Sequence, residues 1–203
     1  MNSSKGYLRV IMGPMYSGKS SLLLDIIRQF SKETVRNRFD NKFIKKQNNS
    51  IPRFMVINHA SDTRYGKNVI STHNKQQYPC YSLSELSIIE TTPEYKHIYD
   101  ESERIIIDES QFFDSQALYQ FVYNSVILYH KTVIVSGLSG DSNQQKFGGI
   151  LELLPLADKI DVLYATCSHC GEKAPFTKRI VDNTSKTLVG SVGTYEPVCR
   201  EHL

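Results

Sequence analysis

Nowhere in the 203 residues does an apolar run approach the roughly 20 residues that span a bilayer, and Met1–Gly6 carries no apolar signal region. Membrane insertion and export are therefore not expected, and the chain is assigned to the cytoplasm or a comparable reducing compartment. Charge of one sign is equally scarce. A formal net charge of +3 is too small to argue by itself for a nucleic-acid or membrane partner, and neither is expected. No internal repeat is present. Cysteine occurs four times, and three of the four crowd into a metal-like pattern near the C-terminus; in a reducing compartment that favours a metal over disulfides. What is present is ordinary: 40% hydrophobic and 22% charged residues suit one globular domain with an adequate core plus a small appendage.

Short β-rich runs alternate with helical patterns. Strands are predicted at Tyr7–Met12, Phe54–Asn58, Arg104–Ile107, Lys131–Ser136 and Val162–Thr166. Several are continuous Ile/Val runs, as expected of parallel strands covered on both faces. Helices are predicted at Ser20–Phe30, Leu83–Glu90 and Gln116–Tyr129. The second opens on the capping-box pattern Ser82-x-x-Glu85 and stops before Pro93. The third carries Leu118, Phe121, Val122 and Tyr129 at helical spacing, read as a core-facing stripe. The alternation predicts an α/β domain with a mainly parallel sheet, its ligands at the carboxyl ends of the strands. Ser31–Ser50 breaks the pattern with six Lys/Arg against two acidic residues and reads as a solvated, mobile insertion rather than a nucleic-acid arm. Residues 1–160 are taken as one domain and 161–203 as a second, smaller one.

Gly13-Pro14-Met15-Tyr16-Ser17-Gly18-Lys19-Ser20 matches GxxxxGKS between a predicted strand and a predicted helix. Loop N–H groups in that setting cradle a polyphosphate, and the helix N-terminus adds roughly half a unit of positive charge. Lys19 is expected on the terminal phosphates and the Ser20 hydroxyl on Mg²⁺. Arg104–Ile107 is an apolar strand that ends in Asp108-Glu109. In a P-loop protein a strand-end Asp serves Mg²⁺, which suits Asp108, and Glu109 then points beside the γ-phosphate, able to take a proton from an attacking hydroxyl or water. Asp62-Thr63-Arg64-Tyr65 follows the second strand, where Arg64 can neutralise charge on a transferring phosphoryl group.

Cys167-x-x-Cys170 and Cys199-x-x-His202 form two knuckles 28 residues apart. Two intervening residues let a tight turn present both partners to one Zn²⁺. His169 competes for a ligand place, but Cys170 fits the spacing better. Four protein ligands leave no open position, so the zinc is expected to be structural and to clamp the loop Gly171–Val198.

Together these residues resemble the type II thymidine kinases. The match runs through GPMYSGKS at Gly13–Ser20, DTRY at Asp62–Tyr65, DESQFF at Asp108–Phe113, Lys146–Ile150, Leu154–Asp158, the Cys167 knuckle, Phe176–Arg179, Val189-Gly190 and Tyr195-x-x-x-Cys199. The resemblance implies a P-loop (RecA-like) α/β sheet with helices on both faces and a small zinc-ribbon or lasso domain. It implies transfer of the ATP γ-phosphate to the 5′-hydroxyl of thymidine, giving dTMP for DNA-precursor salvage. Gly13–Ser20, Ser21, Asp62, Arg64, Asp108 and Gln111 would serve ATP; Ser20 and Asp108 would hold Mg²⁺; Glu109, Lys19 and Arg64 would carry catalysis, with Glu109 as the general base. Met15, Phe112, Leu138, Ser142 and Phe147 would form the nucleoside slot, closed by Leu188, Val189, Gly190 and Tyr195. A homotetramer (or dimer) and feedback inhibition by dTTP are implied as well.

The chain departs from the family at Leu138-Ser139-Gly140-Asp141-Ser142-Asn143-Gln144. Ser142 stands where relatives stack an aromatic on the base, a contact worth about 0.5–1.5 kcal/mol beyond its area, so base affinity or selectivity is expected to be weaker. A kinase of deoxyuridine or deoxycytidine is the alternative, followed by a nucleic-acid-stimulated P-loop ATPase. A zinc-ribbon binding module with a vestigial P-loop is disfavoured, because Lys19, Ser20, Asp108 and Glu109 are all retained.

Overall fold

The computed structural model describes residues 5–39, 54–62, 66, 68–71, 76–181 and 193–203, with backbone alone for 32–39. In chain order the elements are β1 (Tyr7–Met12), α1 (Lys19–Phe39), β2 (Phe54–His59), β3 (Val69–Ser71), β4 (Gln77–Pro79), β5 (Tyr81–Leu83), α2 (Ile88–Thr91), α3 (Pro93–Glu101), β6 (Arg104–Asp108), α4 (Ser115–Tyr123), β7 (Thr132–Gly137), β8 (Lys159–Val162), β9 (Ala165–Thr166), β10 (Lys173–Ala174), β11 (Phe176–Arg179) and β12 (Tyr195–Val198). Six strands form one sheet in the order β5-β2-β6-β7-β1-β8, with every neighbouring pair parallel.

Burial on both faces explains the continuous apolar runs. In β6, Ile105 and Ile107 pack with Leu8, Val10, Val133 and Val135 against Tyr99 of α3, Leu118 and Val122 of α4, and Ile150 and Leu153 of a 3₁₀ segment. Ile106 faces the other way, with Ile11, Val56 and Ile134 against Leu23, Leu24, Ile26 and Ile27 of α1. Helices therefore cover both faces, and each fully buried side chain contributes about 1.5–3 kcal/mol.

Four sequence expectations are corrected. Leu83–Glu90 is not a helix: Tyr81–Leu83 pairs with the edge of β2, and the helical turns begin only at Ile88. Ser82 therefore lies in a strand, and Pro93, expected beyond a helix end, occupies the first turn of α3, where its missing N–H costs nothing. Thr92 before it is extended at φ −105°, ψ 113°, so it ends α2 and starts α3. The third helix is α-helical only to Tyr123 and continues as a π turn over Asn124–Leu128. That turn shifts the period, so Tyr129 leaves the stripe and is 60% exposed, while Leu118 and Val122 are fully buried. The strand expected at Val162–Thr166 splits into β8 and β9, as the chain leaves the sheet after Leu163 N–H bonds the Met12 carbonyl. Finally, α1 runs on to Phe39, so residues 31–39 of the basic insertion are helical; no Gly or Pro interrupts 21–39. The rest of the insertion, residues 40–50, lies outside the described residues.

Lys131 closes the C-terminus of α3. Its buried Nζ donates to the carbonyls of Tyr99 at 2.9 Å, Asp100 at 3.4 Å and Ser102 at 2.6 Å, and lies 4.6 Å from the Tyr99 ring centre. Burial holds its pKa below the ordinary lysine value. Lys131→Met strands these carbonyls and is expected to cost about 2 kcal/mol, lowering Tm by roughly 4–8 °C. An unchanged thermal midpoint would contradict that role.

Candidate active site and metal centre

The carboxyl ends of β1, β2, β6 and β7 bring the predicted residues to one edge of the sheet. Gly13–Gly18 turns tightly into α1, with Tyr16 at φ 64° and Gly18 at φ 84°; the second is a left-handed conformation that glycine adopts without strain. Lys19 and Ser20 open α1, whose first turn holds no acidic residue, so its N–H groups and partial positive charge face the loop. Lys19 is buried, and its Nζ donates to the carbonyls of Gly13 at 3.1 Å and Pro14 at 2.6 Å, placing the ammonium inside the loop. Ser21 is exposed.

Asp108 ends β6 almost fully buried. The Ser20 hydroxyl donates to its Oδ2 at 3.3 Å, and the Glu109 N–H to its Oδ1 at 3.0 Å. Burial first, and then the charge of Glu109, push its carboxyl up to about 6; Ser136, the Glu109 N–H and Lys19 oppose the rise. A buried carboxylate beside a serine hydroxyl, hard oxygen donors both, suits a divalent cation.

Glu109 sits in the left-handed region at φ 51°, ψ 38°, a conformation that costs a non-glycine residue about 1–3 kcal/mol and clusters at functional sites. Its Oε2 accepts from Gln111 Nε2 at 2.5 Å, while Gln111 Oε1 accepts the Leu138 N–H at 3.0 Å. Gln111, expected on the phosphates, thus ties the carboxylate to the end of β7. Gly148, at φ 66°, lies so close that a Cβ there would meet the Gln111 carbonyl oxygen at 2.5 Å. This approach keeps Phe147 beside Phe112, ring centres 5.7 Å apart and edge to face.

Among the remaining slot residues, Met15 is half-buried and its N–H donates to the Thr177 hydroxyl at 2.9 Å. Leu138 and Ser142 are half-buried in the β7 exit, where Asp141 Oδ1 accepts from the Asn143 and Gln145 N–H groups. Tyr195 lies on β12, its hydroxyl 3.0 Å from Arg179 Nη2. Asp62 Oδ2 accepts from Asn58 Nδ2 at 3.2 Å. Arg64, Leu188, Val189 and Gly190 lie outside the described residues.

Cys167, Cys170, Cys199 and His202 converge, with all four ligand atoms within 4.8 Å of one another. Cys167 Sγ is 3.8 Å and Cys199 Sγ 3.1 Å from His202 Nδ1, and Cys170 Sγ is 3.7 Å from Cys199 Sγ. Ligands around one Zn²⁺ form a tetrahedron with edges of roughly 3.5–3.8 Å, so the set fits the ion. Burial would raise the Cys167 thiol, but the N–H groups of Cys170, Cys199 and His169 outweigh it and bring it down to about 6. His169 is no ligand: its Nε2 contacts Glu196 at 2.9 Å, and its ring stacks on His202 at 4.9 Å. The core of this unit comprises Ala165, Cys167, Ala174, Val198 and Cys199, with Tyr16 of the phosphate loop and Phe176 packed against it.

His59, Asn58, Ser136 and Thr177 enter the site without having been singled out as site residues by the sequence. His59 ends β2 buried, and burial lowers its pKa against the opposing pull of the Ser84 carbonyl and Glu109. A lone histidine at a strand end carries no spacing signal; Thr177 was visible only as part of Phe176–Arg179.

A phosphate loop and a strand-end Asp-Glu pair on one parallel sheet, followed by a Cys₃His cluster able to hold a metal, define a P-loop phosphotransferase with a small metal-binding unit. The family model described as "Thymidine kinase" matches residues 6–203. A thymidine kinase of Oryza sativa subsp. japonica is 36% identical over 200 residues, covering 98% of this chain and 67% of its own length. Thymidine kinase a of Arabidopsis thaliana is 37% identical over 199 residues, covering 97% and 74%. The cytosolic thymidine kinase of Gallus gallus is 32% identical over 200 residues, covering 97% and 76%. The chain belongs to the thymidine kinase family.

Proposed function

We propose that this chain transfers the γ-phosphate of ATP to the 5′-hydroxyl of thymidine, yielding dTMP and ADP. The observation that carries the reading is the 3.3 Å contact of Ser20 with Asp108, set beside Lys19 and with Glu109 next in the chain. The loop Gly13–Ser20, with Ser21 at the start of α1, would hold the triphosphate through backbone N–H groups, and Lys19 would reach its terminal phosphates. Ser20 and Asp108 would hold Mg²⁺, whose charge offsets that of the β- and γ-phosphate oxygens when bound. Glu109 takes the 5′-hydroxyl proton as that oxygen bonds to the γ-phosphorus and the bond to the β–γ bridging oxygen breaks. Asp62 and Arg64 act beside the phosphates, and Gln111 steadies Glu109. Met15, Phe112, Leu138, Ser142 and Phe147 wall the base, which Leu188–Gly190 and Tyr195 cover. Nucleotide binding belongs to residues 1–160, and zinc-borne ordering of the covering loop to 161–203.

The same reading includes inhibition by dTTP, whose base and phosphates would occupy the two halves of one site, and assembly as a homotetramer or dimer. Among the described residues no helix is long and apolar enough to cross a membrane, and a cytoplasmic location is proposed with the rest.

Competition among the deoxynucleosides tests the acceptor. Thymidine is expected to suppress phosphorylation of deoxycytidine and the purine deoxynucleosides. Ser142 narrows its lead over deoxyuridine, since an aromatic stack worth about 0.5–1.5 kcal/mol is missing. A preference for deoxycytidine would overturn the assignment.

A further inference from the structure

Three features lie outside the roles assigned so far: the exposed Tyr119, Tyr129 and Leu128 near α4, an apolar cavity of about 280 Å³ lined by Phe54, Tyr78 and Ile98, and the His59 ring. Nothing shows what covers the first two. His59 has partners on four sides.

We infer that His59 is a positioning residue for the nucleoside side of the site, its neutral ring holding the Phe112 ring and the Ser61–Asp62 turn in place together. The inference rests on the thymidine kinase reading above. The Ser61 N–H donates to His59 Nδ1 at 3.1 Å, so Nδ1 carries no proton. The proton is therefore on Nε2, 3.1 Å from the Ser84 carbonyl, which it reaches as a donor. Both ring nitrogens are committed, and burial keeps the imidazole uncharged. The ring lies 5.6 Å from Phe112, tilted by 35°, and 4.6 Å from Phe113, edge to face. Phe112 is thus held between His59 and Phe147. The Nδ1 contact, with the Asp62 N–H on the His59 carbonyl at 3.0 Å, closes the Ser61–Asp62 turn. One side chain therefore links the Phe112 ring to the Ser61–Asp62 turn.

Wild type, His59→Ala and His59→Phe are compared with thymidine and ATP varied separately. His59→Phe keeps an aromatic neighbour for Phe112 but loses the Nδ1 acceptor, so thymidine KM stays within about threefold while kcat falls about three- to tenfold. His59→Ala loses both and also raises thymidine KM about tenfold. ATP KM stays within about twofold in each. Imidazole ¹⁵N spectra of the wild type should show the Nε2-protonated neutral tautomer. The inference is overturned by a folded His59→Ala enzyme with wild-type kcat and thymidine KM, by His59→Phe matching His59→Ala in thymidine KM, or by an Nδ1-protonated ring. Should His59→Ala not fold, His59→Phe and the spectra decide. A wild type that ignores thymidine would overturn the proposed function, and the spectra would still test His59.

Discussion

Glu109→Gln is expected to lower kcat about 10²–10⁴-fold, the usual contribution of a positioned general base, while ATP affinity stays within about twofold. The substitution keeps the shape of the side chain. The amide oxygen can still accept from Gln111 Nε2, which holds the carboxylate at 2.5 Å, so the Leu138 tether survives. The left-handed backbone at φ 51° is untouched as well. What is lost is the ability to accept the hydroxyl proton. Lys19, Ser20 and Asp108 are unaltered, so nucleotide binding persists. A steady-state comparison with a direct ATP-binding measurement checks both halves. A variant with wild-type kcat would remove Glu109 from the role of base.

Cys199→Ser is expected to abolish stable zinc binding and, with it, to weaken thymidine phosphorylation. Among the described residues the buried core of the C-terminal unit is five residues, two of them the cysteines Cys167 and Cys199, too few to fold on apolar burial alone. Structural zinc contributes about 10–16 kcal/mol of apparent binding energy, comparable to the whole stability of an ordinary domain. Its loss spreads to the phosphate loop, because the Met15 N–H rests on Thr177 and Tyr16 packs on the same small core. ATP KM should therefore rise about two- to tenfold, the worth of one such hydrogen bond. His202→Cys, which keeps a competent ligand, should retain the metal. Zinc per chain, measured by elemental analysis, falls from about one to near zero in Cys199→Ser and stays near one in His202→Cys. Full zinc and an unchanged KM in Cys199→Ser would contradict this coupling.

Much of this arrangement was legible in local pattern. Ile105–Ile107 reads as a doubly covered strand because each residue needs an apolar partner and the run admits no polar face. The phosphate loop, the Asp108-Glu109 pair and the Cys167 and Cys199 knuckles are legible for the same kind of reason: their chemistry requires residues close together in sequence. Where long-range contacts decide, the pattern misleads. Ser82-x-x-Glu85 imitates a helix start, yet pairing with the edge of β2 draws Tyr81–Leu83 into the sheet. The π turn after Tyr123 leaves no mark in composition, and beyond it Tyr129 is exposed rather than in the core stripe. His59 depends on Ser84 and Phe112, 25 and 53 positions away, so no local spacing marks it. Gln111, assigned to phosphate by resemblance, is seen bracing Glu109 only once Leu138 is brought beside it.

The most direct test of the account follows the label of γ-phosphate-labelled ATP in the presence of thymidine, or of single-stranded DNA, with the zinc-loaded enzyme. The account predicts labelled dTMP formed in step with ADP, little free phosphate, and no stimulation by DNA. Label released only as free phosphate, accelerated by DNA and indifferent to thymidine, would contradict it.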